Sequence, residues 1–177
     1  AKHIYIIGIR SCAPLASFMA FYFTLMFPNV HLIQTSSSSE IFEQMVRIGK
    51  EDVIIGISFP RYSMRTLKAM EFANNRSAKV ITLTDSVHSP MNLYSSCNLI
   101  ADSDMASIVD SLVAPLSVIN ALIVALCMKK QNEVAKTLEM LEDIWDEYQV
   151  YENDEINYID DSIKMRYGKV GDAELYE

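Results

Sequence analysis

Two short runs, Ile4-Tyr5-Ile6-Ile7-Gly8 and Asp52-Val53-Ile54-Ile55-Gly56-Ile57, are apolar at nearly every position instead of alternating with polar residues. A strand with one wet face shows a period of two. A strand that is apolar on both sides must be covered above and below, as in a parallel sheet between two layers of helices. The rest of the chain fits that requirement. Cys12 to Phe27 carries no charge and reads as a helix with Pro14 in its first turn, stopped by Pro28-Asn29. Val30 to Ile33 is a second short strand. The polar loop Ser36 to Ser39 opens a helix over Glu40 to Arg47, with Gly49 as its C-cap glycine. Met64 to Asn75 is helical, with Leu67, Met70 and Phe72 on its apolar side. Lys79 to Leu83 is a fourth strand, Thr84 to Ser96 a loop, and Asn98 to Ile100 a fifth strand. Two long helices follow, Met105 to Met128 and Glu133 to Tyr148. Alternation of this kind builds βαβ units, so the expected fold class is α/β, three layers deep, with a five-stranded parallel sheet and additional C-terminal helices.

Composition narrows the function. Half of the 177 residues are hydrophobic and the formal net charge is −8. That is enough apolar material for a sizeable core, and the wrong sign for gripping nucleic acid phosphates, which needs clustered Lys and Arg. Cys12, Cys97 and Cys127 are scattered and odd in number, so they read as reduced thiols and not as a disulfide framework or zinc site; no metal or cofactor is expected. Cys12 and Cys127 lie in apolar runs and should pack as small core residues. The stretch Leu112 to Met128 is the one membrane-like segment. Pro115, Ser117 and Asn120 interrupt it, and it reads as a helix buried in a core or dimer interface. Leu138, Leu141, Ile144 and Trp145 recur at helical spacing in the acidic last helix and are expected to pack on the core. The tail after Gln149 is acidic and tyrosine-rich, an extended arm or a partly disordered segment.

In an open parallel sheet, ligands bind where the carboxyl ends of the strands lead into helix N-termini. Three loops at that edge carry hydroxyls: Gly8 to Ser11, Ser58 to Ser63, and Thr84 to Pro90. Hydroxyls, unpaired backbone N–H groups and the positive end of a helix dipole form an anion site. A phosphate suits it, with Arg61 or Arg10 adding a charge-assisted contact. Serines before a helix also serve simply as N-caps, a role open to Ser11 and Ser63.

The stretch Asp52 to Ser63, followed by Lys79-Val80-Ile81-Thr82-Leu83-Thr84-Asp85-Ser86 and then Ser89-Pro90, resembles the SIS (sugar isomerase) domain. More narrowly, it is similar to the SIS domain of RpiR/MurR-type bacterial transcriptional regulators. The resemblance runs over about residues 2 to 130. It implies a flavodoxin-like sheet topology, an SIS phosphosugar-binding domain over 1–130, and a C-terminal helix and acidic tail over 131–177. It implies an effector-sensing function in the cytoplasm: a phosphosugar or related anionic metabolite controls DNA binding by an N-terminal helix-turn-helix domain that this chain does not contain. The chain starts at Ala1, as expected of an effector domain parted from that N-terminal domain. Pairing of SIS domains through helices implies a homodimer or higher homo-oligomer. The ligand set implied is Ser11, Ser58, Arg61, Tyr62, Ser63, Thr84, Ser86 and Ser89.

The sequence departs from the family pattern at two loops. Where the first loop is usually Gly-x-Gly-x-Ser-like, Arg10 occupies the second Gly position and Ser11 follows directly. Against Ser-x-Ser-Gly-x-Thr-x-Glu, the chain keeps Ser58 and places Pro60, Arg61, Ser63 and Arg65 at the next four defined positions. An aldose-ketose isomerase needs a positioned base. The candidates are His88, Asp85 and His31, and Arg65 replaces the motif's Glu, so a sensor is expected here and not a catalyst. The alternatives are an isomerase and a dimerisation module with a vestigial pocket.

Overall fold

The computed structural model describes residues 1–35, 37–103 and 111–151. Five strands, β1 (Ile4–Gly8), β2 (Val30–Ile33), β3 (Val53–Ile57), β4 (Lys79–Thr84) and β5 (Cys97–Ile100), form one sheet in the order β2-β1-β3-β4-β5. Every pairing is parallel. Between them run α1 (Ala13–Met26), α2 (Ser38–Gln44) and α3 (Met64–Asn75), and after them α4 (Val113–Lys129) and α5 (Gln131–Glu147).

The doubly apolar runs behave as their composition requires. Ile4, Ile6, Ile55, Ile57 and Leu83 face one way and pack with α1 and α4 around Met19, Phe23, Ile119 and Ile123. Tyr5, Ile7, Ile54 and Val80 face the other way, against Ile41 of α2 and Ala69, Met70 and Ala73 of α3. Successive strand residues alternate faces, so each run feeds two separate cores. Register then aligns the strand ends: Gly8 of β1 is opposite Ile57 of β3, and Ile57 is opposite Leu83 of β4. The chain passes from β1 outward to β2, then returns to the other side of β1 as β3. The topological switch point therefore lies between the carboxyl ends of β1 and β3.

Several boundaries differ from the sequence reading. A 3₁₀ turn over Arg10–Cys12 precedes α1, which starts at Ala13. The second helix runs from Ser38 to Gln44, earlier than expected, and Gly49 does not cap it: Met45 stands at its C-cap, and no described glycine has positive φ. Gly49 instead donates its N–H to Asp52 Oδ2 at 2.9 Å, while Asp52 Oδ1 accepts the His3 N–H at 3.1 Å. Asp52 is thus a buried turn residue ahead of β3, not part of the strand. Left-handed residues close other helices: Ser77 is at φ 64°, where Ala78 N–H bonds to Ala73 O and Ser77 N–H to Asn74 O after α3.

Ser111 and Leu112 are not helical, so no continuous helix runs from Met105 to Met128. Helix α4 begins at Val113 with Pro115 in its first turn, the position where a missing N–H costs nothing. Residues 104–110, Ser36, and the acidic tail over 152–177 lie outside the described residues. Residues Ala1–Val134 make one compact unit, and a second begins at Ala135. Leu138, Leu141, Ile144 and Trp145 of α5 belong to the second unit, within which Trp145 meets Tyr151 edge-on at 5.3 Å, a contact to the chain just beyond the helix.

Candidate functional site

The switch point is open as a cleft of about 550 Å³ between two loops, Ile9 to Cys12 after β1 and Ser58 to Arg65 after β3. The second loop is built by serines acting on backbone. Ser58, buried at the end of β3, accepts the Ser63 N–H at 3.0 Å, which closes the loop on itself. Ser63 in turn accepts the Thr66 N–H at 3.3 Å and is the N-cap of α3. Both hydroxyl oxygens are used as acceptors in these bonds, so each O–H proton is left to donate to a guest. The cap also brings the positive end of the α3 dipole to the cleft.

Gly8 lets the first loop close. A Cβ there would lie 2.5 Å from the Cys12 carbonyl oxygen and 3.1 Å from Ala16 Cβ, so the 3₁₀ turn can fold back on β1 only over a glycine. Arg10 and Arg61 sit at φ 58° and 61°, the left-handed region that a residue with a side chain enters at a cost of about 1–2 kcal/mol. These are the two motif glycine positions that the chain replaces, so it keeps the glycine backbone while placing a cation on each loop.

The third loop stands behind the second. The Tyr62 hydroxyl donates to Asp85, with contacts of 2.9 and 3.2 Å to its two oxygens. The buried Thr84 hydroxyl lies 2.9 Å from Ser89 Oγ and 3.1 Å from Asp85 Oδ1. Ser89 accepts the Met91 N–H at 3.2 Å, and Ser86 accepts the His88 N–H at 3.2 Å. The Tyr62 phenol is held above its ordinary 10.0 by burial first. Hydrogen bonding with Ser89 pulls it down, and the Asp85 carboxylate pushes it up through both its hydrogen bond and its charge. Tyr62 is therefore a neutral donor at neutral pH.

Of the residues the sequence nominated, Ser11, Ser58, Arg61, Tyr62 and Ser63 line the cleft; Thr84, Ser86 and Ser89 do not. Their hydroxyls are engaged within the third loop, which reaches the cleft through the Tyr62–Asp85 bond. Arg10, expected from the sequence as a charge-assisted contact, lines the cleft as well, and so does Arg65, which was not expected to touch a ligand. The signal for both was present, since each occupies a defined motif position with a cation. His88 is exposed on the third loop, outside the cleft lining. His31 pairs with Tyr5 in the first half of β2, towards the opposite end of the strands, where its Nε2 lies 3.0 Å from His3 Nδ1. Among the described residues, no cluster of His, Cys, Asp and Glu could hold a metal ion. No single described helix is long and apolar enough to cross a membrane. Cys12 is buried in the core, and Cys127 is half-buried against Met26, with burial pushing its thiol pKa up.

An open parallel sheet in the order 2-1-3-4-5, with a cationic, hydroxyl-lined cleft, defines an α/β domain of the open-sheet class with its cleft at the switch point. The SIS domain family model matches residues 1–125, and the chain belongs to that family. Over 98 residues it is 32% identical to an uncharacterized HTH-type transcriptional regulator of Caldanaerobacter subterraneus subsp. tengcongensis, a match over 53% of this chain and 35% of the relative. The chain thus spans about a third of the length of that curated relative. In fold it is similar to the sugar isomerase domain of an RpiR transcription factor from Sphaerobacter thermophilus, with TM-score 0.76 and 22% identity over 81% of this chain and 79% of that one. It is also similar to the Vibrio vulnificus NanR protein complexed with ManNAc-6P, with TM-score 0.67 and 19% identity over 81% of this chain and 56% of that one. At such identities these structures establish the shared fold.

Proposed function

We propose that this chain is the effector-sensing domain of an RpiR-type transcriptional regulator, binding a phosphosugar or related anionic metabolite in the cleft between β1 and β3. The observation that carries the reading is the cleft itself: Ser11, Ser58 and Ser63 hydroxyls, the N-terminus of α3 and arginines converge at the switch point of an SIS fold. The HTH-type relative and the NanR complex with ManNAc-6P support a regulator that responds to a sugar phosphate. Thr84, Ser86 and Ser89 then hold the third loop and, through Asp85, fix Tyr62 against the ligand. DNA binding belongs to a helix-turn-helix segment outside this chain, and the protein acts in the cytoplasm. The SIS domain occupies 1–130, with the C-terminal helix and tail over 131–177.

Sensing is favoured over isomerisation because the ionisable groups lining the cleft are arginines, Tyr62 and Cys12, none suited as a base beside a carbonyl; His88 and Asp85 lie outside the lining. A homodimer is supported by apolar residues left exposed on two helices of one face: Phe21 of α1 at 62%, and Val124 and Met128 of α4 at 58% and 75%.

A thermal-shift screen against sugar phosphates and amino-sugar phosphates tests the reading. A ligand at a hundredfold excess over its Kd stabilises the native state by about 2.7 kcal/mol. A shift without consumption of the compound is expected. Turnover supports the isomerase, and no shift with any phosphorylated sugar contradicts the proposal.

A further inference from the structure

The cleft's charge exceeds what one phosphate requires. Arg10, Arg61 and Arg65 line it together, with no Asp or Glu among the lining residues, in a chain whose net charge is −8. Among the described residues the ion pairs are Lys2–Glu51 and Lys130–Glu133, so none of the three arginines is neutralised by a carboxylate. Asp85, the nearest acid in the adjoining loop, is hydrogen-bonded to Tyr62 and Thr84. Two of the three cations stand at left-handed backbone positions where glycine carries no strain, at φ 58° and 61°. Three uncompensated positive charges and a helix N-terminus around one cleft are more than a single phosphate, at about −1.5 to −2, balances.

We infer that the ligand carries two separate anionic groups, a phosphate and a second acid group, either carboxylate or phosphate, on a sugar-sized frame. This rests on the sugar-phosphate reading above and adds the second charge. The Ser58 and Ser63 hydroxyls with the α3 N-terminus suit the first phosphate. Arg10 and Arg61, one on each loop, suit the second group, where guanidinium geometry matches either oxyanion.

The experiment is isothermal titration of the chain with two matched pairs at fixed ionic strength: fructose 6-phosphate against fructose 1,6-bisphosphate, and glucose 6-phosphate against 6-phosphogluconate. Within whichever pair binds, the doubly anionic member is expected to bind about tenfold or more tightly, the yield of one added charge-assisted contact. Arg10→Gly and Arg61→Gly keep the left-handed backbone and relieve its strain, so both variants should fold. Each is expected to shrink that ratio to about threefold or less, because the lost cation costs the doubly anionic member more affinity than the monophosphate. Equal or tighter binding of the monophosphates by the wild-type chain overturns this inference and leaves the sugar-phosphate reading standing. A ratio unchanged in both variants also overturns it. Failure of all four compounds to bind removes both readings together.

Discussion

Gly8→Ala tests whether the first loop of the cleft exists in its described form because of one missing methyl group. The new Cβ would meet the Cys12 carbonyl oxygen at 2.5 Å and its carbon at 3.0 Å. An ordinary carbon–oxygen contact is about 3.3 Å, so the turn and β1 must separate by about 0.8 Å. Both groups are fixed to backbone, one at the carboxyl end of β1 and the other just ahead of α1, and neither has a rotamer to change. Overpacking costs about 1–3 kcal/mol, and backbone opposition puts this site near 3. The lower entropy of the unfolded alanine chain returns about 0.5–1, leaving a net loss of about 2 kcal/mol. At about 2 kcal/mol per molar, that lowers the urea midpoint by about 1 M. Gly49→Ala is the control, since its Cβ meets nothing within 4 Å and its φ is not positive. It should fall within about 0.5 kcal/mol of wild type. Urea unfolding followed by circular dichroism measures both. The reasoning is refuted if Gly8→Ala is as stable as Gly49→Ala, or if the control loses as much as the test.

Two further outcomes concern the edges of the fold. His31 titrates below its ordinary 6.5, because burial disfavours its charge first and the neighbouring His3 second, against an opposing pull from Asp52. The unfolded chain therefore binds more protons between that value and the lower folded one. The His31 contribution is complete above pH 6.5, falls as pH drops below it, and levels off past the folded value. The urea midpoint should decrease from about pH 7.5 to about pH 5.5, by less in His31→Asn than in wild type; an equal decrease in both contradicts this role. The homodimer predicts that sedimentation of the wild-type chain gives a dimer and that Val124→Asp, at a residue already 58% exposed, gives a folded monomer. A wild-type monomer at tens of micromolar, or a dimer indifferent to Val124→Asp, would contradict the α4 interface.

The sheet was legible because its strands are apolar on both faces. Ile6 and Ile7 belong to different cores, and only a sheet covered on both sides makes use of both. Strand order came with the family resemblance, since five similar strands can be ordered in many ways from periodicity alone. Helix ends were the weakest part. Gly49 suggested a C-cap, but left-handed turns close helices at Ser77 and Gln149, where no glycine announces them. The stripe on α5 has the right period for core packing, yet period alone does not name what covers a face. At the site, five nominated residues line the cleft because β1 and β3 are neighbours. Thr84, Ser86 and Ser89 end up in the next loop, where hydroxyls bond to one another and to backbone instead of facing the cleft. A count of hydroxyls along one sheet edge does not distinguish those two fates. Arg10 and Arg65 were readable as departures from the motif, and their convergence on one cleft emerged only with the loops in place.

The central claim is that a sugar phosphate binds between β1 and β3. Its most direct measurement is an amide ¹H–¹⁵N titration of this chain with the compound giving the largest thermal shift. The account predicts that the perturbed amides are those of Arg10, Ser11, Arg61, Tyr62 and Ser63, with a smaller response relayed to Asp85 through Tyr62. Amides near His3 and His31, towards the opposite ends of the strands, should stay unchanged. Perturbations centred there, or confined to α5, would contradict the account.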